Sequence, residues 1–241
     1  MRDLRSEILE NKQLADGIYK MTLETPKSEF AKPGQFAMVE VPEKFLRRPI
    51  SVSSYDSDRY TLIYKVVGGG TEILSKMEQG EHVRSITGLG NGYNIDDITD
   101  GAYIIGGGIG IPPMLGLLKT MVMSGKSCKV ILGYNSADEM FMFDDFQQLA
   151  DDITVMTADG SYGQKGFVTD AFSSCEYACA CGPLPMLRAK CAWRLSAAVL
   201  GDIAQNRRKG GFPVRRFFKA RKDPYSSDRY RIRLFRHRRK R

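Results

Sequence analysis

The first hundred residues carry short, largely apolar stretches that are typical of strands, separated by polar and glycine residues typical of turns. Residues 60–67 are mostly β-branched or aromatic, as strands prefer. Similar stretches cover residues 17–25 and 35–41, with a less regular one around residues 82–86. Helical periodicity is scarce in this part. Several short strands at regular spacing predict a small antiparallel β-barrel.

Near residue 100 the pattern changes to one of strands followed by helices. Residues 103–105 form a short apolar run, and after several glycines an apolar helix is predicted over residues 112–123, with Gly125 placed to end it. A second helix is predicted over residues 140–149. Three more apolar runs predict strands: residues 129–132, 153–156 and 177–181. Strands that alternate with helices predict a doubly wound parallel sheet of the Rossmann type.

After about residue 190 the hydrophobic periodicity fades and charge dominates. Residues 192–241 contain 17 Lys or Arg against three Asp, whereas the whole chain has a formal net charge of +8, so the rest is mildly acidic. A segment of this composition is predicted to be disordered. The predicted fold class is therefore α/β plus all-β: a β-barrel over residues 1–98, a Rossmann-like domain over residues 99–190 and a basic tail over residues 191–241.

Cysteine use and hydropathy limit the cellular setting. The chain has five cysteines, an odd number, and its N-terminus shows no apolar stretch resembling a signal peptide. We therefore expect a reduced, cytoplasmic protein. No stretch reaches the roughly 18 consecutive apolar residues that a membrane span needs, so we expect no membrane insertion.

The most informative segment leads from the predicted strand at residues 103–105 through Gly106, Gly108 and Gly110 into the predicted helix. Glycines let the backbone approach a pyrophosphate, whose charge is favoured at the start of a helix. Pro113 stands where the Rossmann pattern has its last glycine. Gly-x-Gly-x-x-Pro after a strand resembles the form found in the ferredoxin reductase superfamily. The alternative is a tight strand-to-helix connection that binds no ligand.

In that superfamily a flavin-binding barrel precedes the reductase domain, and residues 47–53, Arg-Arg-Pro-Ile-Ser-Val-Ser, resemble its flavin motif. Arg48 can pair with a flavin diphosphate oxygen, and Pro49 fixes the turn. After Ile50, Ser51 can place its hydroxyl near the flavin N5, where a hydride arrives. The alternative is a basic surface turn.

Two segments downstream extend the motif. Ile63, Tyr64 and Lys65 would lie on a strand beside the flavin ring. Gly70 and Thr71 offer backbone N–H groups and a hydroxyl to a phosphate. Taken alone, Tyr64 is better explained as a barrel residue than as a flavin platform, but the combined order of the segments favours flavin binding.

Six segments together resemble the family of electron-transfer subunits of NAD-dependent dihydroorotate dehydrogenase: residues 47–52, 63–71, 88–93, 106–113, 159–163 and 181–186. The resemblance covers residues 1 to about 190. It implies a heterotetramer of pyrimidine biosynthesis. Electrons would pass from NADH to FAD and through a [2Fe-2S] cluster to the FMN of a catalytic partner that oxidises dihydroorotate.

The resemblance also implies site residues. It makes Ser51 and Cys181 catalytic, with Cys181 facing the flavin, although a small buried residue at a strand end is the commoner fate of a cysteine. Asp159 and Gly160 are equally explained as a simple turn. The residues that it assigns to FAD and NAD are Arg48, Pro49, Ile50, Ser51, Ile63, Tyr64, Lys65, Gly70, Thr71, Gly106, Gly108, Gly110, Asp159, Gly160, Gly182 and Pro183.

The sequence departs from the family in its cysteines. Family members carry four clustered cysteines after the Cys-Gly-Pro turn, in a spacing similar to that of ferredoxins. Here the last four cysteines have the spacing C-x3-C-x-C-x9-C, on and after a predicted buried strand: Cys175, Cys179, Cys181 and Cys191. This is poor geometry for one cluster, so we predict no metal ligands. Without a cluster we expect the chain to reduce dyes or oxygen but to fail with its partner.

Two explanations of the basic tail stay open. A frameshift or a misassembled coding sequence would replace the cluster region by an unselected translation and would account for the loss of family likeness after Cys191. Alternatively, the Arg and Lys residues, interleaved with aromatic ones, bind nucleic-acid phosphates while the rings stack on bases. Basic composition alone is weak support for nucleic-acid binding.

Three functions fit these patterns. We favour an NADH-dependent flavin oxidoreductase that serves dihydroorotate dehydrogenase. The others are a reductase subunit that serves ferredoxin or hydrogenase, and a non-enzymatic nucleotide-binding module with a nucleic-acid-binding tail. In the first, the nicotinamide stacks on the flavin and passes a hydride to N5, with Ser51 orienting that edge. NADH is expected rather than NADPH because residues 133–138 offer an acid and no Arg for a 2′-phosphate.

Overall fold

The computed structural model describes residues 2–25, 30, 32–172, 177–188, 218–222 and 230–232. The strands of the first half are β1 Arg2–Ala15, β2 Ile18–Glu24, β3 Phe36–Val39, β4 Arg48–Tyr55, β5 Arg59–Lys65 and β6 His82–Leu89. They close into a barrel in the order β1, β2, β5, β4, β3, β6, and neighbouring strands are antiparallel. The predicted antiparallel barrel is confirmed.

The barrel is filled by alternate side chains of its strands, because successive residues of a strand point to opposite faces. Ile50 and Val52 of β4 meet Leu62 and Tyr64 of β5 in this core. A short helix, α1 Gly69–Ser75, adds Leu74 to it. The barrel therefore has a hydrophobic core of its own.

Strands β1 and β4 and helix α1 are not predicted by the sequence pattern. In β1 the only fully buried side chains among those described are Ser6 and Ile8. Too few buried apolar positions are present for an alternation to show. In β4, two serines occupy buried positions that an apolar pattern does not register.

The second half contains the strand-and-helix order that the pattern predicts. Its elements are β7 Ala102–Gly107, α2 Ile111–Met123, β8 Cys128–Tyr134, α3 Phe143–Gln147, β9 Asp152–Thr157, β10 Gln164–Lys165, α4 Val168–Ala171, β11 Tyr177–Cys181 and α5 Leu184–Arg188. The strands lie in the order β10, β9, β8, β7, β11 and are parallel. The predicted parallel sheet is confirmed.

Helix α3 is shorter than the helix predicted over residues 140–149, and that prediction is wrong at both ends. Met142 has a left-handed φ of 62°, which a helix interior does not tolerate, so the helix begins at Phe143. At the other end, the N–H groups of Leu149 and Ala150 both bond to the carbonyl of Phe146, which forms a turn. Apolar periodicity does not report such local backbone geometry.

Two further strands extend the sheet beyond β11: β12 Phe218–Lys222 and β13 Tyr230–Ile232. Strand β12 is antiparallel to β11, and β13 is antiparallel to β12. They lie within the segment for which the sequence predicts no packed structure. The rest of residues 191–241 lies outside the described residues.

The barrel and the sheet meet across a packed apolar surface. Ile18 and Ile63, from barrel strands, and Tyr93, which follows the barrel, share one core with Ile104 of β7 and Leu117 of α2. The outer face of β5 is therefore covered by the second half. None of the described helices combines the length and the apolar composition that crossing a lipid bilayer requires.

Candidate functional site

Arg48, the first residue of β4, lies against Gly70 in α1. A β-carbon on Gly70 would lie 2.6 Å from Nε and 2.7 Å from Nη2 of Arg48, so glycine leaves the room that the guanidinium occupies. Nη1 donates a hydrogen bond to the carbonyl oxygen of Leu46, which fixes the direction of the side chain. The structure thus brings together two residues that the sequence assigns to the flavin phosphates.

The residues in the middle of the flavin motif point alternately to the two faces of β4. Ile50 and Val52 belong to the barrel core, so Ser51 between them points away from the barrel interior. Only 3% of Ser51 is exposed. Pro49 is half-buried and lies opposite Met38 in the ladder between β3 and β4. Ser51 therefore lies on the outer side of the barrel wall, whereas Ile50 stabilises its interior.

Ser53 connects the flavin strand to the helix that follows the glycine-rich loop. The pairing of β4 with β5 shifts register between Val52 and Ser54, and such an irregularity re-aims the residue within it. The Ser53 hydroxyl donates a 3.0 Å hydrogen bond to the carbonyl of Pro112. A β-carbon on Gly116 would lie 2.7 Å from the Ser53 carbonyl oxygen. The strand and the first turns of α2 are therefore in direct contact.

The three site residues at the end of β5 have different surroundings. Ile63 is buried in the core of the second half. Tyr64 is buried in the barrel, where its hydroxyl donates to Oδ1 of Asn11 at 3.3 Å, and burial raises its pKa. Lys65 is exposed. The structure places the Tyr64 ring inside the barrel wall, which favours the interpretation of this residue as part of the barrel core.

The Thr71 hydroxyl, in the first turn of α1, is engaged by the residues just before that helix. It donates to the carbonyl of Gly68 and accepts a bond from the N–H of Val67, both at 3.0 Å. These two bonds shape the turn that leads into α1. In this geometry the hydroxyl stabilises the turn. The group here that is suited to a phosphate is the Arg48 guanidinium beside Gly70.

Three glycines, two at the end of β7 and one just after it, leave room for neighbouring protein atoms. A β-carbon on Gly106 would lie 2.9 Å from the side chain of Ile111, and one on Gly110 would overlap the carbonyl of Cys181. On Gly107 it would overlap a side chain of α5. These glycines permit close packing between the loop, α2 and the turn after β11.

Gly108 differs from the other glycines of this loop. Its φ is 49°, in the left-handed region, and no atom lies within 4 Å of a β-carbon built on it. Its backbone therefore borders open space at the start of the turn into α2. Of the loop residues assigned to the nucleotide, Gly108 is the one that a ligand could approach closely.

The turn after β11 packs against the glycine-rich loop. Cys181 is only 2% exposed and belongs to the core, and a β-carbon on Gly182 would lie 2.6 Å from Cε of Met186. Pro183 is exposed. The pKa of the fully buried Tyr93 hydroxyl is raised, first by burial and then by the nearby Cys179 and Cys181. The structure thus places the Cys181 side chain among core residues beside Tyr93.

Asp159 and Gly160 form the turn after β9. The Asp159 carboxylate accepts bonds from the hydroxyl and the N–H of Ser161, at 2.7 and 2.9 Å, and these hold its pKa below the ordinary value. The Ser161 hydroxyl in turn accepts the N–H of Ala137 at 2.7 Å. Gly160 has a left-handed φ of 82°. Asp159 therefore ties the loop after β9 to the loop after β8.

Two acidic side chains follow β8 at its carboxyl end. Asp138 and Glu139 are exposed in a single 3-10 turn, and the Asn135 amide donates to Oε2 of Glu139 at 2.7 Å. Strands β7 and β8 are parallel neighbours. Because ligands of open α/β sheets bind outside the carboxyl ends of the strands, these acids lie at the edge where a nucleotide is expected.

The described cysteines do not form an iron–sulfur site. Among the residues that the structure describes, no group of three or more His, Cys, Asp or Glu could hold a metal ion. Cys179 and Cys181 are buried in the core, and Cys128 begins β8. Cys175 and Cys191 lie outside the described residues.

Sequence reasoning missed two residues of the candidate site. Lys44 extends toward Gly69, so that a β-carbon there would lie 4.0 Å from Nζ. Ser53 makes the bond to α2 described above. The one signal available for Lys44 is a basic residue shortly before the flavin motif, and for Ser53 a second serine within it.

Comparison with known proteins gives consistent matches. Residues 104–192 match the sequence model of a protein family, the oxidoreductase NAD-binding domain. The chain is 38% identical over 194 residues to a dihydroorotate dehydrogenase B (NAD(+)), electron transfer subunit, of Bacillus pumilus (strain SAFR-032), covering 76% of this chain and 75% of that protein.

Solved structures agree with this match. The NADH-dependent reduced ferredoxin-NADP oxidoreductase has a TM-score of 0.63 and 30% identity, covering 69% of this chain and 61% of that one. A phthalate dioxygenase reductase shares the fold at 20% identity, with a TM-score of 0.65 and coverage of 88% and 65%.

Proposed function

Because the chain belongs to the family of dihydroorotate dehydrogenase B (NAD(+)) electron transfer subunits, we propose that it passes electrons from NADH through FAD to a catalytic partner. That partner is the FMN-containing subunit of dihydroorotate dehydrogenase, in pyrimidine biosynthesis. The family match confirms the resemblance drawn from the six sequence segments. We propose that residues 1–98 bind FAD and residues 99–190 bind NAD.

One observation carries this proposal: the hydrogen bond from Ser53 to the carbonyl of Pro112. It joins the strand that bears the flavin motif to the helix that follows the glycine-rich loop. Ser51 lies two residues from one end of this bond, and Gly108 lies in the loop before the other. Hydride transfer requires two rings in contact, and this bond brings the strand of the proposed flavin site against the helix that follows the proposed dinucleotide loop.

The residues present fit FAD. The Arg48 guanidinium lies over the backbone of Gly70, which has no side chain, and this places a cation at the start of α1. Such a cation binds a diphosphate through charge-assisted hydrogen bonds. When bound, FAD supplies the acceptor for the hydride of NADH. Ser51 points away from the barrel interior and would orient the reacting edge of the ring through its hydroxyl.

The residues of the second half fit a nicotinamide dinucleotide. Gly108 leaves backbone exposed at the turn before α2, where a pyrophosphate is favoured. Pro183 and Gly182 border this loop on the side of β11. Asp138 and Glu139 place negative charge at the end of β8, which favours a ribose 2′-hydroxyl over a 2′-phosphate. We therefore propose NADH as the donor.

Electron delivery to the partner completes the proposed function. In the proposed assembly, a cytoplasmic heterotetramer, the acceptor is the FMN of the catalytic subunit. The described cysteines do not fit a [2Fe-2S] site. The activity proposed for this chain by itself is NADH-dependent reduction of dyes or oxygen.

An anaerobic NADH titration of the purified full chain, followed by its visible spectrum with iron quantified, tests the function. We expect a flavin spectrum that NADH bleaches with one NADH per flavin. Folded protein that binds no flavin after incubation with FAD would contradict the proposal. Bound flavin that NADH fails to bleach would remove the NADH-oxidising function while leaving flavin binding.

A reductase that serves ferredoxin is the second candidate. It is favoured by the 30% identity to the NADH-dependent reduced ferredoxin-NADP oxidoreductase. The two candidates share the flavin and nicotinamide sites and differ only in the acceptor. Comparing the rates at which the reduced chain reacts with ferredoxin and with a dihydroorotate dehydrogenase catalytic subunit distinguishes them, and we expect the catalytic subunit to react faster.

A further inference from the structure

The loop before the flavin strand presents an unusual arrangement of side chains. Lys44 extends toward Gly69, and Arg48 covers Gly70. Between them Phe45 is fully exposed, with 100% of its surface accessible. Glu43, just before, has a left-handed φ of 60°, one of two such values for non-glycine residues in the described chain. Strained backbone of this kind is concentrated at functional sites.

Among the described residues, Lys44 and Arg48 differ from their neighbour Arg47 in having no acidic partner. Arg47 is held by Asp3 at 3.1 Å and by Glu40 at 2.8 Å. No ion pair with a carboxylate involves Lys44 or Arg48 in the part of the chain that the structure describes. Two cations that have no carboxylate partner among the described residues and that converge on two adjacent glycines suit a group with two negative charges, such as a diphosphate.

The direction of β4 orients a flavin dinucleotide along this site. Ser51, which faces the proposed ring site, lies three residues after Arg48, roughly 10 Å along the strand. The diphosphate at Arg48 therefore has the ring on the side of Ser51 and the adenosine on the opposite side. On that opposite side lies the loop that carries Lys44 and Phe45.

We infer that Lys44 and Phe45 form the binding site for the adenosine diphosphate half of FAD, with Lys44 pairing with the diphosphate and Phe45 stacking on the adenine. This inference rests on the proposed function, since it assumes that the barrel binds a flavin. A fully exposed phenyl ring offers a face on which any base stacks. Lys44 and Phe45 are adjacent in the chain, with Cα atoms about 3.8 Å apart, so the two side chains can contact neighbouring parts of one ligand. Phe45 therefore selects FAD over FMN, which lacks the adenosine.

The test compares the dissociation constants of FAD and FMN, measured by flavin fluorescence on the flavin-stripped full chain. In Phe45→Ala we expect FAD affinity to fall about tenfold, while FMN affinity stays unchanged. Phe45→Trp should retain the wild-type preference for FAD, because indole also stacks. Phe167→Ala, which removes another exposed phenyl ring, is the matched control and should alter neither constant.

Lys44 is tested with the same measurement. Lys44→Met should weaken FAD binding about fivefold, and Lys44→Arg should restore it, because the charge is what the diphosphate requires. Lys76→Met, at the other end of α1, is the control and should leave FAD binding unchanged, since that lysine pairs with Glu72.

The outcomes separate the inference from the function. Equal wild-type affinities for FAD and FMN, or an unchanged ratio of the two in Phe45→Ala, overturn the inference and leave flavin binding intact. If the folded wild-type chain binds neither flavin, the proposed function fails, and the inference fails with it.

Discussion

The guanidinium of Arg48 occupies the space in which a side chain on Gly70 would lie, with Nε 2.6 Å from the position of the missing β-carbon. The barrel brings this arginine, at the start of β4, against the helix that follows β5. Since Arg48 contacts backbone here, its position depends on the absence of a single methyl group. Any substitution at Gly70 must move the guanidinium.

Gly70→Ala is therefore expected to weaken FAD binding by about tenfold or more, through displacement of a charge-assisted contact. Fluorescence titration with FAD measures the effect. Gly68→Ala is the control, because no atom lies within 4 Å of its added β-carbon and its φ of 170° is open to any residue. Equal losses in the two variants would show that the Arg48 contact does not matter for FAD.

The architecture is predictable from the sequence because it follows from local patterns. A run of β-branched and aromatic residues produces strands such as β5, and the apolar run at β7 followed by glycines produces a strand, a turn and a helix. The contact between Arg48 and Gly70 is not predictable in this way. It depends on how the barrel closes, which residue spacing does not reveal.

The glycine-rich loop shows the same limit. The sequence assigns Gly106, Gly108 and Gly110 together to the nucleotide, but the structure gives them different surroundings. Gly106 and Gly110 leave room for protein atoms, and Gly108 alone of these three borders open space. A sequence shows where side chains are absent, whereas only the packing shows whether protein or ligand takes the space.

Gly108→Ala is expected to weaken NADH binding while costing about 1 kcal/mol of folding stability, the penalty of a left-handed non-glycine residue. Gly125→Ala is matched to it, with a φ of 70° and equally open surroundings, but it lies at the other end of α2. It should lose similar stability without affecting NADH. Calorimetric titration with NADH and thermal melting measure the two effects, and NADH affinity that is unchanged in Gly108→Ala would exclude a close approach there.

Ser53→Ala should leave the flavin bound but slow its reduction by NADH. The lost hydrogen bond to Pro112 is worth about 1 kcal/mol, so a rate roughly fivefold lower is expected. Stopped-flow bleaching of the flavin spectrum gives this rate. Ser54→Ala, the next serine on the strand, is the control. If NADH reduces the flavin of both variants as fast as that of wild type, the bond does not align the two cofactor sites.

Cys128 should react slowly with iodoacetamide at neutral pH. Burial, followed by the charges of Asp100 and Asp152, raises the pKa of its thiol from about 9 to about 11. Because the pKa of the thiol is raised in the folded state, the thiol contributes stability that is fully present at pH values below its ordinary pKa of about 9. This contribution is lost as the pH rises through 11. We expect half-maximal alkylation near pH 11 by mass spectrometry, and a shallower loss of stability above pH 9 in Cys128→Ser. Half-maximal alkylation near pH 8.5 would contradict this.

The preference for NADH should depend on Asp138. This side chain is exposed at the carboxyl end of β8, in a turn that Asn135 and Ser161 hold by hydrogen bonds. A 2′-phosphate would meet its negative charge there, so we expect wild type to use NADH roughly a hundredfold more efficiently than NADPH. Asp138→Arg should bring the two cofactors within about tenfold of each other, since Arg accommodates the 2′-phosphate. Steady-state dye reduction with each cofactor measures the ratio.

The control for this prediction makes the same change in charge at the amino ends of the parallel strands, opposite to the carboxyl ends where Asp138 lies. Asp151 immediately precedes β9, at the amino end of a strand parallel to β8. An Asp151→Arg variant changes the net charge as much as Asp138→Arg does, but the nucleotide is expected at the opposite edge. Its cofactor ratio should therefore equal that of wild type. If both variants shift the ratio alike, the preference reflects the overall field of the protein rather than a contact at the end of β8.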